Sequence, residues 1–575
     1  MTAPPEPSPL ESLKRGSRYL RGRIAEELAN DEDAFTADAN GLLKHHGAYQ
    51  QDDRDRRKLK DAKGKPAPKA HSLMVRVKIP GGRLAADQLL ALLDLCDELG
   101  NTTARITDRQ DIQLHGVPKR NLREAIRRIN KAQLTTLGAC GDVERNVMCC
   151  PAPLANDPVR RAMQELAARL SSLLLPQTTA YREIWLSDPS GGGMVPGGVD
   201  EDREIEPLYS PCYLPRKFKI ALASPDDNCV DLYANDLGLL ALAEGSRIVG
   251  YNVLVGGGLG VTPSNKRTFP ALALPMASIA PEEVLDVAAA VIRAYRDFGD
   301  RTDRKRARLK YLIADWGLPR FRAKVEEYYG RTLADPRPVA VWGFDDHLGW
   351  HGQGDGRWFY GLNVENGRIL DRDGLRLKAA LREICDKYRP GIGLTPHQSI
   401  LVSDIPPDGR AGLEAVLRGH GVRLSEETSN VRRWSMACVA LPTCPLAVTE
   451  SERVLPGLMD RLEAEVARLG LSGERFTVRM TGCPNGCSRP YNADVGLVGR
   501  TMGKYAVYLG GRLYGDRLGF LLKDHVKIEE LVPLLVSILA CFKAERQAGE
   551  TLGDFCHRKG PAELASRAER AGHSS

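Results

Sequence analysis

The chain has 575 residues, 42 % of them hydrophobic, which is too long for one core and implies several domains. No apolar run is long enough to span a bilayer, and Met1–Pro9 lacks the apolar centre of a secretory signal; a cytoplasmic protein is expected, whose thirteen cysteines are thiols or metal ligands and not disulfides. The net charge of +7, from 81 basic and 74 acidic residues, is too mild to imply nucleic acid, although local basic clusters could hold a small anion or a polycarboxylate cofactor.

Residues 1–70 read as a polar N-terminal arm with a helical patch around Tyr19 to Leu28. Its charged run, Asp52-Asp-Arg-Asp-Arg-Arg-Lys58, is expected as a solvated surface or as an arm wrapping a neighbouring domain. Ser72–Ile79 alternates like a strand and ends at Pro80-Gly-Gly82, a turn. Ala85–Leu99 has helical spacing, Ala104–His115 alternates again, and a second helix is expected near Asn121 to Ala132. This order suggests an α/β sandwich of the split βαβ type.

The unit recurs. Thr107-Asp-Arg-Gln-Asp-Ile112 matches Thr395-Pro-His-Gln-Ser-Ile400 at an offset of 288, and Gly82-Arg-Leu84 matches Gly367-Arg-Ile369. Two further stretches match at an offset of 258: Lys217–Ile220 with Arg475–Val478, and Tyr233–Leu239 with Tyr491–Leu497. The order A-B-A′-B′ means an internal duplication with a pseudo-two-fold pair of lobes. The domains expected are 71–137 and 336–412 for the smaller unit, and 138–335 and 413–575 for the larger one.

The second copy carries Cys438 and Cys444 in a C-x5-C spacing, then Cys483 and Cys487 in C-x3-C. Four thiolates on two loops can close around one metal centre, either a 4Fe–4S cluster or a structural zinc, and four buried thiols are the plain alternative. Zinc loops usually space both pairs by two to four residues, which the first pair does not. At the aligned place the first copy carries Pro215-Arg-Lys-Phe-Lys219. One lobe would hold metal and the other would present cations, so a cleft between them suits an anion facing a metal centre. Lys217 and Lys219 share one strand face, and the odd positions Arg105, Arg109, Gln113 and His115 share another. Gly256-Gly-Gly-Leu-Gly260 lacks the third glycine of a dinucleotide loop, and no stretch reads as a flavin domain. Cys149-Cys150 reads as a pair of packed thiols with no assigned role.

Thr481-Gly-Cys-Pro-Asn-Gly-Cys487 resembles the cysteine motif of the assimilatory sulfite and nitrite reductase haemoproteins. The resemblance extends over Tyr49–Asp55, Thr107–Gly116, Arg145-Asn-Val147, Leu214–Lys219, Gly256–Gly258 and Met436–Cys438. It is nearer to the sulfite than to the nitrite reductases, chiefly in the Gln50–Asp55 arm and in Arg216–Lys219. It implies an α+β fold of duplicated, pseudo-two-fold lobes, with ferredoxin-like half-domains beside larger mixed α/β domains that hold sirohaem and a 4Fe–4S cluster. It implies that Cys438, Cys444, Cys483 and Cys487 bind the cluster and that Cys487 is also axial to the sirohaem iron. It implies catalytic cations at Arg76, Arg145, Lys217 and Lys219, and cofactor contacts at Arg105, Arg109, Gln113, His115, Arg216 and Asn485. The activity implied is six-electron reduction of sulfite to sulfide for cysteine biosynthesis. The donor would be ferredoxin or an NADPH-linked flavoprotein subunit, and Leu348–Asp355 leans toward the ferredoxin branch. Nitrite reduction to ammonia on the same cofactors and a zinc-stabilised scaffold remain as alternatives.

Overall fold

In the computed structural model the described residues are 6–60, 64–187 and 206–572. The duplication is visible in the sheets. One five-stranded sheet contains Ala48–Asp52, His71–Val77, Ile112–Val117 and Ala104–Ile106, and its edge is Arg368–Ile369 from the second copy. The other contains Gly349–Gly352, Trp358–Leu362, Ile400–Ile405 and Gly391–Leu394, and its edge is Arg83–Ala85 from the first copy. Each small unit therefore lends an edge strand to its twin. The exchange satisfies backbone groups that would otherwise be left open on both sheets. Helix Ala86–Leu99 buries Leu89, Leu92, Leu93 and Cys96, the i, i+3, i+4, i+7 face that sequence periodicity specifies.

The larger units repeat as well. Ile220–Ala223, Leu237–Glu244, Arg247–Val255 and Leu274–Ile279 form a four-stranded sheet, parallel at its first pair and antiparallel afterwards. Ser435–Ala437, Val478–Thr481, Val495–Thr501, Lys504–Leu509 and Phe520–Lys527 form its five-stranded counterpart. Equivalent hydrogen bonds confirm the register. The Asp236 carboxylate accepts from the Lys219 N–H at 3.0 Å, and Asp494 accepts from the Thr477 N–H at 2.9 Å, both pairs related by 258 residues. One continuous apolar cluster fills the small units and the first large unit, while the second large unit has its own between Val431 and Leu564.

Two sequence readings need correction, and a third, the charged run, divides between its two alternatives. The expected helix from Tyr19 begins only at Ile24, because Arg18, Tyr19 and Leu20 all have positive φ and cannot continue an α-helix. The Ala104–His115 stretch is not one strand but a hairpin. Thr107–Asp111 forms its turn, with Gln110 at φ +60° and the Thr107 hydroxyl accepting from the N–H groups of Arg109 and Asp111. Alternation along the sequence therefore places Arg105, Gln113 and His115 together by cross-strand pairing and leaves Arg109 in the turn. The charged run is only partly solvated. Arg56, Arg57 and Lys58 are exposed, but Asp52 ends a sheet strand, and Arg54 reaches across to the second lobe. Among the described residues no helix is long and apolar enough to cross a membrane.

Candidate active site

The two cysteine pairs sit on loops that follow parallel neighbouring strands. Cys438 follows Ser435–Ala437, and Cys483 follows Val478–Thr481. Parallel pairing brings both strand ends to the same edge, so the chain delivers the four thiols to one place. One backbone and one side-chain donor fix the sulfurs: the Gly482 N–H donates to Cys438 Sγ at 3.3 Å, and the Asn485 side-chain amide to Cys483 Sγ at 3.4 Å. Arg54 straps the first loop. Its backbone N–H donates to the Pro442 carbonyl, and its guanidinium to those of Ala447, at 2.8 Å, and Cys444.

These sulfurs crowd one another. Burial, and then the nearby Cys487, push the Cys438 and Cys444 thiols up, and the same causes push Cys483 up to about 12. A cationic metal core would remove that repulsion, since thiolates bind metal. Four thiols delivered to one edge from two loops form the donor set of a 4Fe–4S cluster.

Cys487 differs from the other three. It is the exposed member of the set, and it lines a cavity between the lobes with Asn485, Gly486 and Arg489 from its own side. Lys217, Lys219, Asn235 and Arg308 line it from the first lobe, and Arg109 from the hairpin turn. The glycine run Gly256–Gly260 brings the lobes this close. A Cβ on Gly257 would lie 2.2 Å from the Tyr233 carbonyl oxygen, and one on Gly260 would lie 3.1 Å from that of Asn485. The Val261 N–H then donates to the Pro484 carbonyl at 3.0 Å. Close backbone approach, and no nucleotide phosphate, explains these glycines.

The cavity is cationic. Burial, then Lys219 and Arg145, hold the Lys217 amine far below its ordinary pKa; burial, then Arg109, bring Lys219 down to about 7. Arg109 donates to the Asn235 side chain at 2.9 Å and to the Asn146 carbonyl at 2.6 Å, and its buried Nε has no acceptor. Buried N–H donors and two lysine amines facing one space suit an anionic ring with carboxylates together with a small anion.

The other sequence-derived residues lie around this cavity and do not line it. Arg76 meets the Gln113 amide oxygen, oriented toward it, with Nη2 at 2.6 Å. Arg105 is drawn away: it donates to Glu452 at 3.0 Å and to the Ala437 carbonyl at 2.8 Å, bracing the strand before Cys438. His115 is buried beside this row, with Nε2 unpartnered and its pKa lowered by burial and then by Arg368. Arg145 is buried on the Gly141 carbonyl, and Arg216 lies 3.8 Å from Asp142. Sequence reasoning missed Arg308, which is ion-paired at 2.8 Å to the Asp236 carboxylate that also holds the Lys219 backbone. It missed Arg489 and Lys310 too; Lys310 donates to the carbonyls of Gly258 and Gly260 at 2.8 Å and so fixes the glycine run. Only the Cys487-Ser-Arg489 spacing carried a local signal.

Comparison with known proteins agrees with this construction. The description "Nitrite and sulphite reductase 4Fe-4S domain" matches residues 167–333 and 428–574, and "Nitrite/Sulfite reductase ferredoxin-like half domain" matches 65–132 and 351–420. A relative from Synechococcus elongatus named as a ferredoxin sulfite reductase is 41 % identical, over 100 % of this chain and 93 % of its own. An NADPH sulfite reductase haemoprotein beta-component from Chromohalobacter salexigens is 42 % identical, over 96 % and 95 %. The solved structure of Mycobacterium tuberculosis NirA superposes with a TM-score of 0.78 at 27 % identity, over 97 % of this chain and 98 % of that one. Duplicated half-domains, paired cysteine loops and near full-length identity lead to one conclusion: the chain belongs to the nitrite and sulphite reductase family, among its sulfite reductase haemoproteins.

Proposed function

We propose that the cavity between Cys487 and the Lys217/Lys219 pair is where sulfite is reduced to sulfide. The observation that carries this reading is the asymmetry of the four cysteines, with Cys487 alone facing a cation-lined space. Cys438, Cys444, Cys483 and Cys487 would hold the 4Fe–4S cluster, and Cys487, which lines the cavity, would be the ligand that faces the sirohaem. When bound, the two cofactors would supply the electrons for the reduction. The chain itself supplies charge and protons. Arg109, with Asn485 beside it, orients the ring, and Arg105, Gln113, His115 and Arg216 support its surroundings. Lys217 and Lys219 bind the sulfite oxygens with Arg76 and Arg145 behind them. Each oxygen that departs as water takes up protons, and an amine with a pKa near neutrality is suited to hand one over.

The chain divides for this purpose into an arm (1–70), half-domains at 71–137 and 336–412, and larger domains at 138–335 and 413–575. Electrons come from a separate protein, either ferredoxin or a flavoprotein subunit; relatives of both kinds are equally similar, at 41 % and 42 % identity. Anaerobic steady-state assays with a reduced dye, run in parallel on sulfite and nitrite, test the reading. Higher kcat/KM for sulfite, with sirohaem absorption and acid-labile sulfide in the purified protein, is expected. Preference for nitrite, or absence of both cofactors, would overturn it. Lys217→Met should keep both cofactors at parental content while turnover falls by about a hundredfold, the usual scale for losing a proton donor.

A further inference from the structure

Behind the wall of this cavity lies a second group of metal-ligating side chains, separate from the four cysteines. Cys150, Asp227, Cys229 and His347 present one ligand atom each, all within 4.8 Å of one another. Cys150 Sγ is 3.2 Å from His347 Nε2, which is 3.0 Å from Asp227 Oδ2. Tetrahedral zinc with bonds of about 2.0–2.3 Å places its ligand atoms about 3.3–3.8 Å apart, so small rotamer adjustments suffice. All four residues are at most 5 % exposed, and they come from three distant segments.

The backbone is built to hold them. The Cys229 N–H donates to Asp227 Oδ1 at 3.0 Å, which aligns the Asp-x-Cys pair. Gly343 lies so close to this loop that a Cβ on it would be 1.7 Å from the Asp226 carbonyl oxygen. His347 has φ +57°, an uncommon conformation for a residue with a side chain, and Asp345 and Asp346 cap the turn around it. Arg160 supplies an outer contact, donating to Asp227 Oδ2 at 2.7 Å and to Cys150 Sγ at 3.3 Å.

We propose that Cys150, Cys229, Asp227 and His347 bind one zinc ion in a closed structural site that clamps the segment 341–347 onto the first large domain. The donor set is that of a zinc site, with thiolates, imidazole and carboxylate and no open position. Arg160, beside Asp227 and Cys150, also offsets part of the negative charge that two thiolates and a carboxylate bring to the site. Met148, two residues before Cys150, and Val230, next to Cys229, line the active cavity, so the site would stiffen its wall.

The test is metal analysis of the purified holoenzyme together with zinc K-edge X-ray absorption. About one zinc per chain in addition to the iron is expected, with two sulfur neighbours near about 2.3 Å and two nitrogen or oxygen neighbours near about 2.0 Å. The double variant Cys229→Ala/His347→Ala should lose zinc and keep its iron. No zinc in holoenzyme that also fails to take up added zinc, a Cys150–Cys229 disulfide, or zinc retained by the double variant would overturn the proposal. If that variant does not fold, the absorption spectrum of the parent decides: four sulfur neighbours, or none, would overturn it. Four sulfurs with little iron would instead place zinc on the cluster cysteines and defeat the sulfite reductase reading, so the two failures are distinguishable.

Discussion

Lys219 and Glu206 show burial acting on opposite charges. Lys219 loses the solvation of its ammonium, so its proton is held weakly, down to about pH 7. An anion in the cavity opposes that loss and moves the value back up toward 10.5. The alkaline limb of kcat should therefore fall between pH 7 and 10.5, with activity lost as pH rises, and it should be absent in Lys219→Met; a pH profile measured with both proteins checks this. Glu206 is buried far from the cavity, accepts from the Thr178 N–H and the Tyr213 hydroxyl, and is raised to about 7. The folded state keeps this proton to higher pH than the unfolded state, whose value is near 4.5. The contribution to stability is present below pH 4.5 and is lost as pH rises through about 7, on the order of 3 kcal/mol in total. Glu206→Gln should flatten the fall in melting temperature between pH 5 and 8.

Among the elements, the Cys438–Cys444 loop depends on a strap from the N-terminal arm. Arg54 covers three of its carbonyl oxygens, and Arg453 pairs with Asp55 beside it at 2.5 Å. A half-buried charged donor removed from carbonyls costs about 1 kcal/mol. Arg54→Ala is expected to leave the fold intact but to speed loss of iron under chelator several-fold, followed by the decay of visible absorption. The arm's strand and the hairpin turn show where sequence patterns fall short. Alternation along Ala104–His115 looks the same whether the chain runs straight or doubles back. The Thr107 hydroxyl and the positive φ of Gln110 decide it, and their equivalents recur at Thr395 and Gln398.

For the whole molecule, the decisive feature is the contact between lobes. Asp231, in the first large domain, lies 2.8 Å from both Arg479 and Arg489 of the second, and all three are buried. The lobes are also joined by the exchanged strands Arg83–Ala85 and Arg368–Ile369. Asp231→Asn would keep the shape and leave two buried guanidinium groups facing an amide. A loss of about 3–5 kcal/mol, read as a lower denaturation midpoint, is expected.

Much of this was legible in the order of residues. The duplication, the split βαβ units, the four cysteines and the Lys217/Lys219 pair follow from local pattern, because strand alternation, helix spacing and short motifs are properties of neighbouring residues. The likeness to the sirohaem reductases followed from those motifs. The rest required tertiary structure. Strand exchange between the copies, the strap of Arg54 on the cysteine loop and the pairing of Arg105 with Glu452 join residues hundreds of positions apart, and no period or spacing encodes such contacts. Cys150, read as a packed thiol, gained its meaning in the same way: Asp227, Cys229 and His347 reach it from other segments of the chain, through backbone turns that only the folded packing selects.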